Sequence, residues 1–223
     1  MLQETKTSIC NKALLMLGES PINSMEDNTS YVARICREFF DTSLRSVLEE
    51  GQWPFATIEE PAQRIFVEDY TKEQKFVYRI PANSAIVLGL YKRYDRKNAN
   101  KHIDWDIRYI PELKTSAIIC NRRSFTNEDI ENDIYQDNQI LIEYVNAEQT
   151  TYSYSASFVR CLVAQLAADL AMPITHDPQK MQLMVGYAEE AKAKALRNAL
   201  NEDKQDKLHW VDEFTASREG RIC

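Results

Sequence analysis

Apolar residues fall in adjacent couples one helical turn apart in two distant stretches, and this constrains the fold more than any other feature. The first stretch holds Tyr31/Val32, Ile35/Cys36, Phe39/Phe40, then Leu44 and Val47/Leu48. The second holds Phe158/Val159, Leu162/Val163, Leu166/Ala167 and Leu170/Ala171. Couples at every fourth residue lay two side chains abreast along a helix, a stripe too wide for a single neighbour. Each stretch therefore predicts a helix packed on more than one partner, and each is a natural partner for the other.

Boundary residues frame these helices and two more. Ile9, Cys10, Ala13, Leu14 and Leu17 recur at helical spacing after Thr7 or Ser8 as cap, and Gly18 and Pro21 end that helix. Asp27 or Asn28 is expected to cap the second helix, which runs to about Glu50 over roughly 30 Å. Gly51 closes it, and Trp53-Pro54-Phe55 leaves extended, because the residue ahead of a proline avoids the helical region. The third helix starts near Ser157 and is expected to stop at Pro173. A fourth opens on Asp177-Pro178, with Met181, Met184, Val185, Ala188, Ala191, Ala195 and Ala199 as its apolar face down to about Asn201.

Between the second and third helices the period changes to two. Phe76–Ile80, Trp105–Ile110 and Gln139–Val145 alternate, while Ile86–Tyr91 and Ala117–Cys120 are short apolar runs. Five or six short strands without helical pattern between them predict a compact antiparallel sheet or small barrel. The fold class expected is α+β: an antiparallel bundle of about four helices, a small antiparallel β domain inserted between helices 2 and 3, and an extended C-terminal arm. In residues, 1–55 and 152–203 form the bundle, 56–151 the β-rich insertion and 204–223 the arm. The junction is Trp53, Pro54 and Phe55. The arm is polar with spaced anchors Leu208, Trp210, Val211 and Phe214 and late arginines Arg218 and Arg221, a pattern suited to docking on another chain.

A formal charge of −7 gives the chain no electrostatic reason to grip phosphate backbones. Five glycines leave little material for phosphate-cradling loops. The cysteines Cys10, Cys36, Cys120, Cys161 and Cys223 form no C-x-x-C pair, and those in helical patterns lie on or beside apolar faces, as reduced buried thiols do. No apolar run reaches the ~20 residues that span a bilayer, and Met1–Thr7 has no signal-peptide core. A cytoplasmic site of synthesis and no membrane partner are expected.

Three clusters of residues could carry chemistry. His102, Asp104 and Asp106 share one face of a strand and offer metal ligands or an acid–base pair. The plainer reading is a solvated face opposite Ile103, Trp105 and Ile107. Asn127, Asp129, Glu131 and Asp133 alternate oxygen donors, but Asn132 and Asn138 stand where a calcium loop needs glycine and glutamate. His176 and His209 have no histidine or cysteine at ligand spacing. No nucleophile elbow or phosphate loop is present. No catalytic residue, metal or cofactor is expected, and nothing in the residues forces an enzyme.

Several motifs in order resemble a known family. Ile9–Gly18 followed by Pro21-Ile22 and Ser24–Asp27, Leu44–Leu48 ending in Gln52–Ala56, Tyr78–Pro81 with Ile86–Leu88, Ile140–Val145, and Phe158–Thr175 with the Asp177-started helix look like the tail tubular protein A family. These are head-to-tail adaptors of short-tailed bacteriophages. The resemblance spans roughly residues 5–200 through modest motifs rather than one signature. Lys92–Asp137 and the tail past Lys204 depart from it.

That resemblance implies a homo-oligomeric ring of twelve subunits at the capsid–tail junction of a virion, assembled in the host cytoplasm. Its partners would be the portal protein and the tail nozzle protein, and double-stranded DNA would pass through its lumen without sequence-specific binding. The Leu208, Trp210, Phe214, Arg218 and Arg221 arm would dock on the portal. Two other readings stand beside it: a tail component that also hydrolyses cell-envelope polysaccharide, and a scaffolding bundle outside any virion.

Overall fold

The computed structural model describes residues 4–68, 70, 75–92, 103–121 and 140–208, with backbone alone at 92 and 202–208. The described residues build four α-helices and seven β-strands: α1 Lys6–Met16, α2 Tyr31–Glu49, β1 Thr57–Pro61, β2 Arg64–Ile65, β3 Phe76–Arg79, β4 Ser84–Lys92, β5 Trp105–Ile110, β6 Thr115–Cys120, β7 Ile140–Asn146, α3 Ala156–Thr175 and α4 Pro178–Leu208. The chain divides into two compact units, Met1–Phe55 with Gln149–Cys223, and Ala56–Glu148.

In the helical unit α3 is the hub, packing on α1, α2 and α4, while α1 and α2 barely meet. The sequence explains this. α3 buries eleven side chains, among them Phe158, Leu162, Leu166 and Leu170, around most of its circumference, and a helix apolar on all sides needs neighbours on all sides. By length and composition this helix would also span a membrane, but its apolar surface is largely covered by protein. The couples of α2 divide unequally. Cys36 and Phe40 are buried while Ile35 and Phe39 are half-covered, and only Val47/Leu48 bury together.

The helix ends differ in detail from expectation. Thr5, not Thr7 or Ser8, caps α1, its hydroxyl accepting from the Ser8 N–H at 3.1 Å. Gly18, at φ +75°, ends α1: its N–H donates to the Leu15 carbonyl and that of Glu19 to the Leu14 carbonyl. Asp27 is spent on a turn, accepting from the Thr29 N–H at 2.8 Å, and Ser30 rather than Asp27 or Asn28 caps α2. Pro173 does not stop α3. It sits in the last turn, and His176, at φ +53°, terminates the helix in the left-handed region. Asp177 caps α4 as expected, accepting from the Gln179 and Lys180 N–H groups.

The expectation of one small inserted β domain is corrected. The strands form two antiparallel sheets, β1-β7-β4 and β2-β3-β6-β5, and make a body with its own core rather than a small insertion between helices. Helical residues are concentrated in the C-terminal half, in α3 and α4. The extended arm expected from residue 204 is also corrected, since α4 continues to Leu208. β1 and β2 were not recognised from sequence. β1 pairs with β7, Thr57 opposite Val145 through Pro61 opposite Leu141, which sets the unit's first and last strands side by side.

One core cluster joins residues of both sheets: Tyr78 and Ile118 from the four-stranded sheet, Leu90, Ile142 and Tyr144 from the three-stranded one. A second lies on the other face of the four-stranded sheet and gathers Val67, Val77, Ile110, Ala117 and Ile119. β6 is therefore covered on both faces, which is why Ala117–Cys120 reads as a continuous apolar run instead of an alternation. Replacing the fully buried Ile118 by alanine is expected to cost about 2–5 kcal/mol, against less than about 0.5 kcal/mol for alanine at the exposed Phe66. Urea denaturation of the two variants checks the difference.

Candidate functional site

The exit from α2 is built from aromatic rings. Trp53 is buried, and its indole N–H donates to the Val47 carbonyl at 3.0 Å. Phe158 stands edge-on to both Trp53 and Phe55, with ring centroids 4.8 Å apart in each pair, and Tyr154 packs on it at 4.9 Å. Such edge-to-face pairs add about 0.5–1.5 kcal/mol each beyond area burial. Trp53 and Phe55 thus serve a packing role, fastening the end of α2 to the start of α3, while Pro54 between them is exposed. Gly51 allows a close approach rather than a left-handed turn: a Cβ there would overlap Leu196 Cδ2 of α4.

The expected chemical clusters do not assemble. Asp106 accepts a 2.8 Å hydrogen bond from Arg108 Nε on the same exposed strand. That bond holds its carboxyl below the usual carboxylate range. Asp104 is exposed. His102, Asn127, Asp129, Glu131, Asp133 and His209 lie outside the described residues, as do Trp210, Phe214, Arg218 and Arg221 of the arm; Leu208 is described only as the last residue of α4. His176 caps a helix. Among the described residues, no three or more His, Cys, Asp or Glu side chains gather to hold a metal ion.

What the helical unit does present is apolar surface on α4. The contact between α3 and α4 runs along alanines, Ala164 and Ala168 against Ala188, with Met184 and Ala191 at its margin. A seam of small side chains brings two helices close while covering only a narrow strip of each. Ala188, Ala195 and Ala199 are buried, whereas Leu183, Tyr187 and Leu200 are 67%, 50% and 51% exposed. Met181 and Val185, which the sequence assigned to the buried face, are exposed too. The Lys180 ammonium donates to the Leu17 carbonyl at 2.9 Å. That bond ties the first turn of α4 to the end of α1, where Leu15 is likewise exposed. Leu183, Tyr187 and Leu200 are thus a set of large apolar residues left uncovered along α4. Periodicity could have found it, since Leu183 and Tyr187 lie four residues apart and off the alanine side.

No protein-family model matches the chain, and no curated protein matches it.

Burial pushes the Tyr154 hydroxyl up to about 12, with the Asp41 carboxylate adding to the shift, and burial lifts the Cys161 thiol to about 11. Both groups are neutral when folded and ionise more easily in the unfolded chain. Their stabilisation is complete below about pH 9 and is lost as pH rises towards 12. Alkaline unfolding followed by far-UV circular dichroism should therefore set in above pH 9. Tyr154→Phe should flatten the part of the curve between about pH 10 and 12.

Proposed function

We propose that this chain is a structural subunit of a head-to-tail adaptor ring, joining a bacteriophage portal to its tail nozzle and extending the channel through which DNA leaves. The observation that carries this reading is the exposed apolar surface of α4, on a unit whose buried core is made by the residues that resemble the tail tubular protein A family. Ile9, Cys10, Ala13, Leu14, Leu17, Trp53 and Phe158 are all buried. They shape a subunit, and Leu183, Tyr187 and Leu200 are left for neighbours. Apolar side chains on one helix suit a repeated protein–protein contact, since each is worth about 1.5–3 kcal/mol when fully buried. A contact repeated around a closed ring leaves no face of this kind open to solvent.

The remaining parts of the proposal follow the same line. Twelve copies are the number the resemblance implies. The arm that contains Trp210, Phe214, Arg218 and Arg221 docks on the portal, the opposite side receives the nozzle, and DNA passes without sequence-specific contact because the chain is acidic. Localisation is the capsid–tail junction. The polysaccharide-hydrolase alternative draws no support from Asp106, whose ion pair lowers its proton affinity where a general acid needs it raised.

Leu183→Glu combined with Tyr187→Lys removes the apolar pair, adds a favourable i,i+4 pair and leaves net charge unchanged. The double variant should keep the far-UV spectrum of the parent and fail to sediment with purified portal, where the parent forms rings visible by negative stain. Deleting 209–223 should keep both units folded and weaken portal attachment. A parent chain that stays monomeric with portal present sinks the proposal.

A further inference from the structure

Among the described residues the β unit has four edge strands, β1 and β4 in one sheet and β2 and β5 in the other. Three of them are blunted. β1 carries Glu59 and Glu60 and ends on Pro61, which has no N–H to offer a further strand. β4 shifts register along β7 between Ser84 and Ile86 and again between Val87 and Gly89, and such irregularities spoil an edge as a template. β2 is two residues long. β5 differs. Its six residues, Trp105–Ile110, pair with β6 one for one and without a bulge, and no described strand lies on its outer side. Ile107 and Tyr109 are 43% and 62% exposed on the face that holds the partly buried Trp105, while Asp106 and Arg108 are exposed on the opposite face.

We propose that β5 pairs antiparallel with β5 of a second copy of this chain, in the register that sets Ile107 opposite Ile107. The two-fold axis of such a pair stands normal to the sheet and keeps each face of β5 on the same side in both copies. Side chains that stand opposite each other must therefore share a face, and the register can slide only by whole pleats. In the proposed register Asp106 of each copy faces Arg108 of the other, and Trp105 faces Tyr109. The Asp106–Arg108 pair within one strand, 2.8 Å long, is then joined by two across the contact. The adjacent registers set Asp106 opposite Asp106 or Arg108 opposite Arg108. Opposite charges directly across an antiparallel pair stabilise it and like charges destabilise it. The run Asp106-Ile107-Arg108 is thus complementary to its own reverse, and it selects both the partner and the register. On the other face the pairing lines up Trp105, Ile107 and Tyr109 of both copies and covers the apolar surface that β5 leaves open. The contact closes on two copies and belongs to the β unit. It is separate from the α4 contact proposed for the ring, and either can fail without the other.

Sedimentation velocity of the full-length chain without portal, over a series of concentrations, tests the pairing. The unaltered chain should pass from monomer to dimer as concentration rises. Asp106→Arg sets arginines opposite arginines and Arg108→Asp sets aspartates opposite aspartates, so each should weaken dimerisation about tenfold or more. Both positions are exposed, and far-UV circular dichroism reports whether each variant is folded. An equal mixture of the two variants should dimerise again, because every arginine then faces an aspartate. A chain carrying both changes should dimerise like the parent, and Leu183→Glu with Tyr187→Lys should leave the dimer intact. A parent chain that stays monomeric throughout overturns the pairing. So does a mixture of the two folded variants that stays monomeric, a dimer that survives either single reversal, or one that is lost on changing α4.

Discussion

α3 is apolar around most of its surface, and the helical unit follows from the need to cover it. Phe158, Leu162, Leu166 and Leu170 cannot all face one neighbour, so α1, α2 and α4 each take a sector. The polar exceptions are matched rather than left bare. Asp169 accepts from the Ser43 hydroxyl at 2.5 Å and from the Gln165 amide at 3.0 Å, and these bonds offset the cost of holding a carboxylate against the α2 interface. Because α1 and α2 reach each other mainly through α3, small features such as the Cys10–Met25 contact and the Asn11–Ile22 bonds set how the linker between them is held.

The β unit solves a related problem with sheets. β3 and β6 lie inside the four-stranded sheet and place side chains in both core clusters, Tyr78 and Ile118 on one side, Val77 and Ile119 on the other. Central strands covered on two faces lose the polar alternation that usually identifies a strand. β5, at the edge, alternates in sequence but not in burial: Asp106, Ile107, Arg108 and Tyr109 are all exposed, Asp106 pairs with Arg108, and Ile110 is buried.

Local signals marked the long helices, the Gly18 stop and the Asp177 cap, because each depends on residues within a turn or two. Signals that depend on distant pairing did not show. Thr57-Ile58-Glu59-Glu60-Pro61 is too polar to read as a strand, and it becomes one because β7 offers an edge to pair with. The start of α2 was misplaced because Asp27, Asn28 and Ser30 can all cap, and only the Asp27–Thr29 turn decides among them. The division of the β unit into two sheets was missed for the same reason, since two sheets sharing a core are invisible to a reading that goes strand by strand. At the candidate site, the apolar residues of α4 were legible as types, but their exposure depends on where the alanine seam runs.

That alanine seam has a consequence for motion. Alanines interlock weakly, and the side chains just past Ala199, Leu200 and Asn201, are exposed. Local opening is least costly where few apolar contacts must be broken. Amide protons along the distal part of α4 should therefore exchange with solvent well before those of α3, whose side chains are enclosed on most sides. The uncovered apolar residue Leu200 then lies where α4 is least enclosed. Contact with another molecule would quiet it by supplying the packing that alanine does not.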